Sequence, residues 1–212
     1  MLQNIDTLIF DLGEVIVDVN TQKTAAAFSS LFQMDSTTIF SFHHQINLFN
    51  LLEKGQISEL DFRNQLRTIV DQPTISDDAI DKAWNAMLGV TPQQKLDILK
   101  RLMTTYNVFA LSNTNSIHIS HINNEIKTRN GAVDCLENYF HHAYYSHDLH
   151  ARKPDSDIFE KIISLENINV TTALFIDDRI ENIKTAQDLG FQTYHMTDPE
   201  QFYELFKSNV SK

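Results

Sequence analysis

Cysteine is nearly absent from this 212-residue chain, with Cys135 standing alone. No intrachain disulfide can form, and a reducing cytoplasm is the simplest expected compartment. Nothing around Cys135 suggests an activated thiol, so it reads as a small packed side chain. Glycine (5) and proline (4) are also scarce, which leaves little room for a long flexible linker. No stretch approaches the roughly 20 apolar residues that a membrane span requires. The segment Met1–Phe10 carries Asp6 and lacks a basic start, so it reads as a first strand and not as a signal peptide. Positive charge is short as well: 17 Lys+Arg stand against 28 Asp+Glu, a formal net charge of −11. That balance argues against nucleic acid or an anionic membrane surface as the main partner. It leaves open a small phosphorylated molecule, because one basic side chain and a cation suffice for a local anion site. What the chain does have is 42% hydrophobic residues. That is enough for a substantial core, in one domain or in one domain with a smaller insert.

Short apolar runs at Thr7–Phe10, Val108–Leu111, Ala173–Ile176 and Gln192–His195, with a weaker one at Ala143–Ser146, read as buried parallel strands. Helical patterns lie between and after them at Pro92–Thr104, Ser116–Lys127, Pro154–Glu166, Arg179–Leu189 and Pro199–Ser208. Pro92, Pro154 and Pro199 each open such a segment, where a missing N–H is harmless. Gly190 suits a helix stop. The alternation implies βαβ units, with helices on both faces of a parallel sheet. The stretch from about Asn20 to Gly89 has no strand-like run. Its amphipathic patterns (Lys23–Phe32, Thr38–His43, Ile46–Leu52, Glu59–Val70, Asp77–Leu88) predict an all-helical insert over one end of the sheet. The expected division is an α/β core of residues 1–17 and 90–212 and a helical unit of residues 18–89.

In an open parallel sheet, ligands bind outside the carboxyl ends of the strands. Asp11 follows the first strand, Ser112-Asn113 the second, and Asp177-Asp178 the run ending at Ile176. Each alone is an ordinary strand terminator, since Asp, Ser and Asn commonly begin turns. Together, at one rim, they predict a site. Asp11, Asp177 and Asp178 would crowd like charges, which shifts pKa values strongly unless a cation intervenes. Mg²⁺ takes about six oxygens and usually retains waters and a phosphate oxygen among them. Two carboxylates, a carbonyl of the Leu12-Gly13 turn, waters and a phosphate oxygen fill such a shell. No Cys/His set has zinc spacing; His43-His44 and His141-His142 are adjacent pairs whose side chains diverge. Lys153, before the helix expected from Pro154, is electrostatically misplaced unless it faces an anion.

These residues resemble the haloacid dehalogenase-like hydrolases over essentially the whole chain. The resemblance lies in Ile9-Phe10-Asp11-Leu12-Gly13-Glu14-Val15-Ile16-Val17-Asp18, Ala110-Leu111-Ser112-Asn113-Thr114-Asn115, Arg152-Lys153-Pro154-Asp155, and Phe175-Ile176-Asp177-Asp178 followed by Asn182. They occur in the family's order. Phe49, Glu53, Gly55, Ile57, Ser58 and Phe62 resemble the helical cap of one subgroup, and the start of the chain is most similar to a branch of bacterial glucose-1-phosphate phosphatases. The resemblance implies a Rossmann-like three-layer core with a cap between the first two motifs. It also implies a Mg²⁺-dependent phosphatase of a small metabolite, such as a sugar phosphate, acting through an aspartyl-phosphate.

By that resemblance Asp11 is the nucleophile. Asp11, Asp178, Asp177 and the Gly13 carbonyl hold Mg²⁺, and Ser112 and the Asn113 backbone hold phosphate oxygens. Lys153 neutralises charge, and Asn182 orients the Asp177 turn. The sequence departs from many family phosphatases in having Gly13 where a second, proton-transferring Asp is usual. Either the leaving group is good enough to need little protonation, such as an anomeric sugar hydroxyl, or a water, a substrate group or a cap residue takes the place of that acid. Two alternatives remain: a haloacid dehalogenase, for which Asp177-Asp178 would have no task, and a catalytically weak binding protein of the same fold. The chain is expected to be a monomer or a homodimer.

Overall fold

The computed structural model describes residues 2–34, 47–130 and 135–207. The expected helix Thr38–His43 lies outside them, as do His43 and His44. Five strands form one fully parallel sheet: β1 (Thr7–Phe10), β2 (Asn107–Ser112), β3 (His142–Tyr145), β4 (Ala173–Asp177) and β5 (Gln192–His195), in the order β3-β2-β1-β4-β5. The chain passes from β1 to β2 and β3 on one side, then crosses back to β4 and β5 on the other. This reversal beside β1 opens a crevice at the carboxyl ends of β1, β2 and β4. The register places Phe10 opposite both Ala110 and Ile176, and Asp177 opposite His195.

Alternation along the strands sorts the apolar side chains to two faces. Leu8, Phe10, Val108, Ala110, Leu174 and Ile176 point to one side. They pack against α5 (Gln93–Leu102), α6 (Ser116–Asn130) and α10 (Glu200–Leu205). Ile9, Phe109, Leu111 and Phe175 point to the other side, against α8 (Ser156–Glu166) and α9 (Ile180–Asp188). Phe10 is fully buried and lies 6.0 and 5.7 Å from the rings of Phe202 and Phe206. Burying such a side chain contributes roughly 1.5–3 kcal/mol. A three-layer α/β core results, with a short helix α7 (Ser146–Leu149) following β3. Pro92 and Pro199 occupy the N-cap positions of α5 and α10, just outside the helices they were expected to begin. Pro154 follows a cis peptide bond, and α8 begins only at Ser156.

The remaining helices are α1 (Thr21–Phe32), α2 (Leu48–Glu53), α3 (Glu59–Ile69) and α4 (Asp77–Asn85). Local signals account for their starts. The Ser58 hydroxyl accepts from Asp61 N–H (3.0 Å) while the Asp61 carboxylate accepts from Ser58, a reciprocal capping box. Ser76 caps α4 through Ala79 N–H, and Asn20 caps α1 through Gln22 N–H. These helices gather a separate apolar cluster around Phe28, Phe32, Phe49, Phe62, Leu66, Ile80 and Trp84. The chain enters and leaves this cluster side by side. Val19 and Leu88 bridge antiparallel, Asn20 N–H donates to Met87 O, and Gly89 N–H donates to Asp18 O, each of the last two at 2.7 Å. A Cβ on Gly89 would stand 2.9 Å from Asp18 Cβ, so this approach needs a residue without one. No helix among the described residues is long and apolar enough to cross a membrane.

Contacts fix the helical cluster above the strand ends. His118 of α6 stacks on Trp84 at 4.7 Å, and Ser116 Oγ donates to Glu59 Oε1 at 2.5 Å. Gly55, at φ +60°, passes so close to α7 that an added Cβ would lie 2.1 Å from the His147 carbonyl oxygen. Gly55→Ala therefore combines a left-handed backbone with a backbone clash. It is expected to destabilise the fold by at least about 2 kcal/mol, measured as a lower urea midpoint with unchanged slope.

Candidate active site

Asp11 sits one residue beyond β1, and its N–H still donates to Ile176 O of β4 (2.9 Å), so the sheet itself sets its position. Its Oδ1 accepts from Leu12 N–H at 2.7 Å and pairs with Lys153 Nζ at 2.9 Å, which fixes the carboxylate plane. Lys153, 1% exposed, also donates to Asp177 Oδ2 (2.7 Å) and to Leu111 O (2.6 Å). An ammonium has three protons, and here each has a partner. The lysine that sequence placed at a helix start in fact stands three residues before α8 and faces two carboxylates.

Asp177 is fully buried. It accepts from both Asn182 (2.9 and 3.0 Å) and the Arg179 N–H (2.8 Å), besides Lys153. Asp178, next in the chain, is half-buried, and its carbonyl is held by His195 Nε2 at 3.0 Å. One carboxylate oxygen from each of Asp11, Asp177 and Asp178 lies within 4.8 Å of the others. Among the described residues no other set of three His, Cys, Asp or Glu side chains converges in this way. Oxygens across a Mg²⁺ shell are separated by roughly 4 Å, so the donor set fits an octahedral hard cation. The electrostatics agree. Burial, opposed by Lys153 and reinforced by Asp177 and Asp178, raises the Asp11 carboxyl from 3.8 to about 7. Burial and Asp177 likewise raise Asp178. Burial opposes the charge of Lys153, but Asp11 and Asp177 hold it above the usual lysine value. A divalent cation beside these groups would reverse the carboxylate shifts.

Ser112 ends β2 and is buried at the same rim. Asn113 has a role that its sequence position did not reveal. Its side chain donates to Lys153 O (2.8 Å) and accepts from Lys153 N–H (2.9 Å), fastening the lysine-bearing segment to the end of β2. Gly13 bridges Val17 within the loop after Asp11. An added Cβ there would meet only Val19 Cγ2, at an ordinary 3.5 Å, so crowding does not explain the absence of an acid at this position. Glu14 does not replace it, because its Oε1 accepts from Val19 N–H at 2.7 Å.

Asp11, Gly13, Ser112, Asn113, Lys153, Asp178 and Asn182 border one cavity of about 570 Å³ between the strand ends and the helical cluster, and the fully buried Asp177 is not part of its lining. Comparisons with known proteins bear directly on it. The sequence profile of the haloacid dehalogenase-like hydrolases matches residues 5–190. The chain belongs to that family. Within this family it is similar to a D-ribitol-5-phosphate phosphatase of Bacteroides thetaiotaomicron, 32% identical over 190 residues, covering 90% of this chain and 91% of the relative. A crystal structure of a haloacid dehalogenase family enzyme from the same organism, solved with magnesium and inorganic phosphate, superposes with a TM-score of 0.85 at 32% identity, covering 95% and 99% of the two chains. A predicted hydrolase of the family from Porphyromonas gingivalis superposes with a TM-score of 0.85 at 27% identity, covering 98% of each chain.

Three further residues of this hydrolase were not anticipated as site residues. Lys95, 1% exposed, donates to Val15 O (2.8 Å) and so braces the loop that follows Asp11. A lysine on the apolar stripe of Leu99 and Leu102 was the available signal. His118 shares its Nδ1 proton with Asn85 Oδ1 at 2.7 Å. Burial, with His121, depresses its pKa to about 3, so it lines the cavity as a neutral ring. Arg152 was noted only as a neighbour of Lys153, yet it reaches Asn50 and Glu53 of α2.

The raised Asp11 pKa has a stability consequence. The native state without a cation binds this proton more tightly than the unfolded chain does. The contribution is therefore present below the ordinary carboxylate range and is lost as pH rises from about 4 to 7. Asp11→Asn removes that loss. In EDTA, the difference in Tm between Asp11→Asn and wild type should grow in favour of the variant from pH 5 to pH 8. A difference independent of pH would contradict the assigned electrostatics.

Proposed function

We propose that this hydrolase is a Mg²⁺-dependent phosphatase of a small phosphorylated metabolite of the sugar or sugar-alcohol class, with Asp11 as nucleophile. The observation that carries this reading is the buried Lys153 ammonium between Asp11 and Asp177, with Asp178 completing a three-carboxylate cluster. Carbon–halogen displacement would give the acidic cluster no task. The similarity to a ribitol-phosphate phosphatase supports the polyol class. Residues 18–89 act in this reading as a cap over a core of residues 1–17 and 90–212.

An Asp11 carboxylate oxygen attacks phosphorus in line with the leaving alcohol. The new bond is the P–O bond of an aspartyl-phosphate, an acyl phosphate, and the P–O bond to the alcohol breaks. Lys153 and Leu12 N–H orient the carboxylate and lower its negative charge as the anionic phosphoryl group approaches. Ser112 and the Asn113 backbone hold the phosphoryl oxygens at the end of β2. Water then attacks the acyl phosphate, releasing inorganic phosphate and restoring Asp11. Asp11 and Asp178 would hold Mg²⁺, with Asp177 direct or through water and the Gly13 carbonyl as a further ligand; when bound, the ion neutralises phosphoryl charge and aligns the reacting oxygens. Asn182 and Arg179 N–H keep Asp177 facing Lys153. Without an acid at position 13, the alcohol takes its proton from water, from its own hydroxyl groups or from a cap residue.

Phosphate release from sugar and sugar-alcohol phosphates with Mg²⁺ is the direct assay. Activity should vanish with EDTA and return with Mg²⁺. Asp11→Asn should lower kcat by at least about 10³-fold, and Lys153→Met by about 10²–10³-fold, the range seen when a single transition-state charge partner is removed. Full activity in Asp11→Asn would remove the nucleophile assignment.

A further inference from the structure

Lys95 belongs to the first turn of α5 and is buried. Little about that place favours a lysine. A positive charge in the first turn opposes the helix dipole. Burial pulls the ammonium pKa below the usual lysine value, although Asp18, Glu14 and Glu200 favour the charge. Of its three protons, one has a hydrogen-bond partner among the described residues, Val15 O at 2.8 Å. The ring of Phe202 lies 5.6 Å from the ammonium. An apolar side chain of similar length fills the same space without these penalties. The one thing it cannot do is donate to Val15 O.

Val15 lies in the loop that leaves β1 beyond Asp11, and the loop is tightly closed on itself. Leu12 O accepts from both Ile16 N–H and Val17 N–H, and Val17 O accepts from Glu14 N–H, each at 2.8 Å. Glu14 stands at φ +57°, a left-handed conformation that a residue with a Cβ keeps only where its surroundings hold it. Gly13 lines the cavity, and its carbonyl accepts no hydrogen bond among the described residues. The bonds within the loop set its shape. They do not set where it stands on the core. Lys95 reaches it from a helix packed on the sheet, 80 positions further along the chain. The Phe202 ring that the ammonium faces also lies 6.0 Å from the ring of Phe10, the residue before Asp11. One frame thus supports the chain before and after the reactive carboxylate.

We propose that Lys95 is a positioning residue for the metal site: through Val15 O it fixes the loop that presents the Gly13 carbonyl to a cation held by Asp11 and Asp178. This rests on the Mg²⁺ reading above. Lys95 touches neither the cation nor the substrate. Charge and positioning predict opposite signs for its removal. Taking a positive charge out of the protein favours a dication by Coulomb's law. Releasing the loop weakens the site, as does loss of the outer partners that orient metal ligands.

The test measures Mg²⁺ affinity without substrate, from the rise in Tm of the intact chain as Mg²⁺ is added. It compares wild type, Lys95→Met and Lys95→Gln. Lys95→Met keeps the length and removes donor and charge, while Lys95→Gln removes the charge and keeps a donor. Tm in EDTA is the folding control. The expected result is an increase of about 10-fold in the Mg²⁺ Kd of Lys95→Met, a smaller increase in Lys95→Gln, and a Tm in EDTA close to wild type for both. Should Lys95→Met fail to fold, Lys95→Gln decides in the same way. Unchanged or tighter Mg²⁺ binding would overturn the assignment. So would a weaker affinity matched by a large fall of Tm in EDTA, which marks general loosening. No Mg²⁺-induced rise in wild type would overturn the metal reading as well. Mg²⁺ binding by wild type without release of phosphate from any sugar or sugar-alcohol phosphate would overturn the phosphatase reading and leave the Lys95 assignment standing.

Discussion

A lysine ammonium inserted between two buried carboxylates is the interaction on which this site depends. Asp11 and Asp177 come from adjacent strands whose register brings their side chains to one rim, and without compensation they would repel in a low-dielectric setting. Lys153 meets them at 2.9 and 2.7 Å and uses its third proton on Leu111 O. That arrangement constrains much around it. Asn113 must hold the backbone of Lys153, Asn182 and Arg179 N–H must hold Asp177, and the loop after Asp11 must be braced by Lys95. Buried ion pairs contribute little net stability because desolvation offsets attraction. What this one supplies is orientation, together with a residual negative charge that a cation can complete.

The cavity divides chemical labour between its two walls. The strand ends carry the charged groups that any phosphoryl transfer requires, set by backbone register and therefore rigid. The helical wall is aromatic and apolar, with Thr24, Asn50 and Glu53 as scattered polar points, and His118 of α6 meets it from the core side. His118 is tethered by Asn85 and stacked on Trp84, so even this titratable ring is a fixed neutral surface. Selectivity on such a scaffold resides in the variable wall and not in the sheet.

What sequence showed and what it hid follow a physical division. β1 and β5 match the expected strands, and β4 and β2 extend theirs by one or two residues, because short β-branched and aromatic runs have few alternatives. Asp11, Ser112, Asp177 and Asp178 were legible because a strand end fixes their direction. Prolines misled by a residue or two: a fixed φ is compatible with the cap as well as with the first turn, so Pro92 and Pro199 occupy caps. The Asn113 side-chain role and the Glu53–Arg152 pairing were not legible. Each joins groups separated by 40 or more positions, and no local periodicity encodes which long side chains will meet across a gap. Glu53 stood out in the sequence only as part of the cap likeness.

The paired segments at Asp18–Asn20 and Met87–Gly89 carry a consequence for the history of such chains. Since the excursion starts and finishes at one hydrogen-bonded spot, the sheet sees little more than a tight loop there, whatever its length. Closure entropy grows only logarithmically with added residues, about 0.6 kcal/mol per doubling. Evolution can thus lengthen, shorten or exchange the whole helical excursion, and with it the range of molecules admitted, while strand order and reactive rim stay untouched.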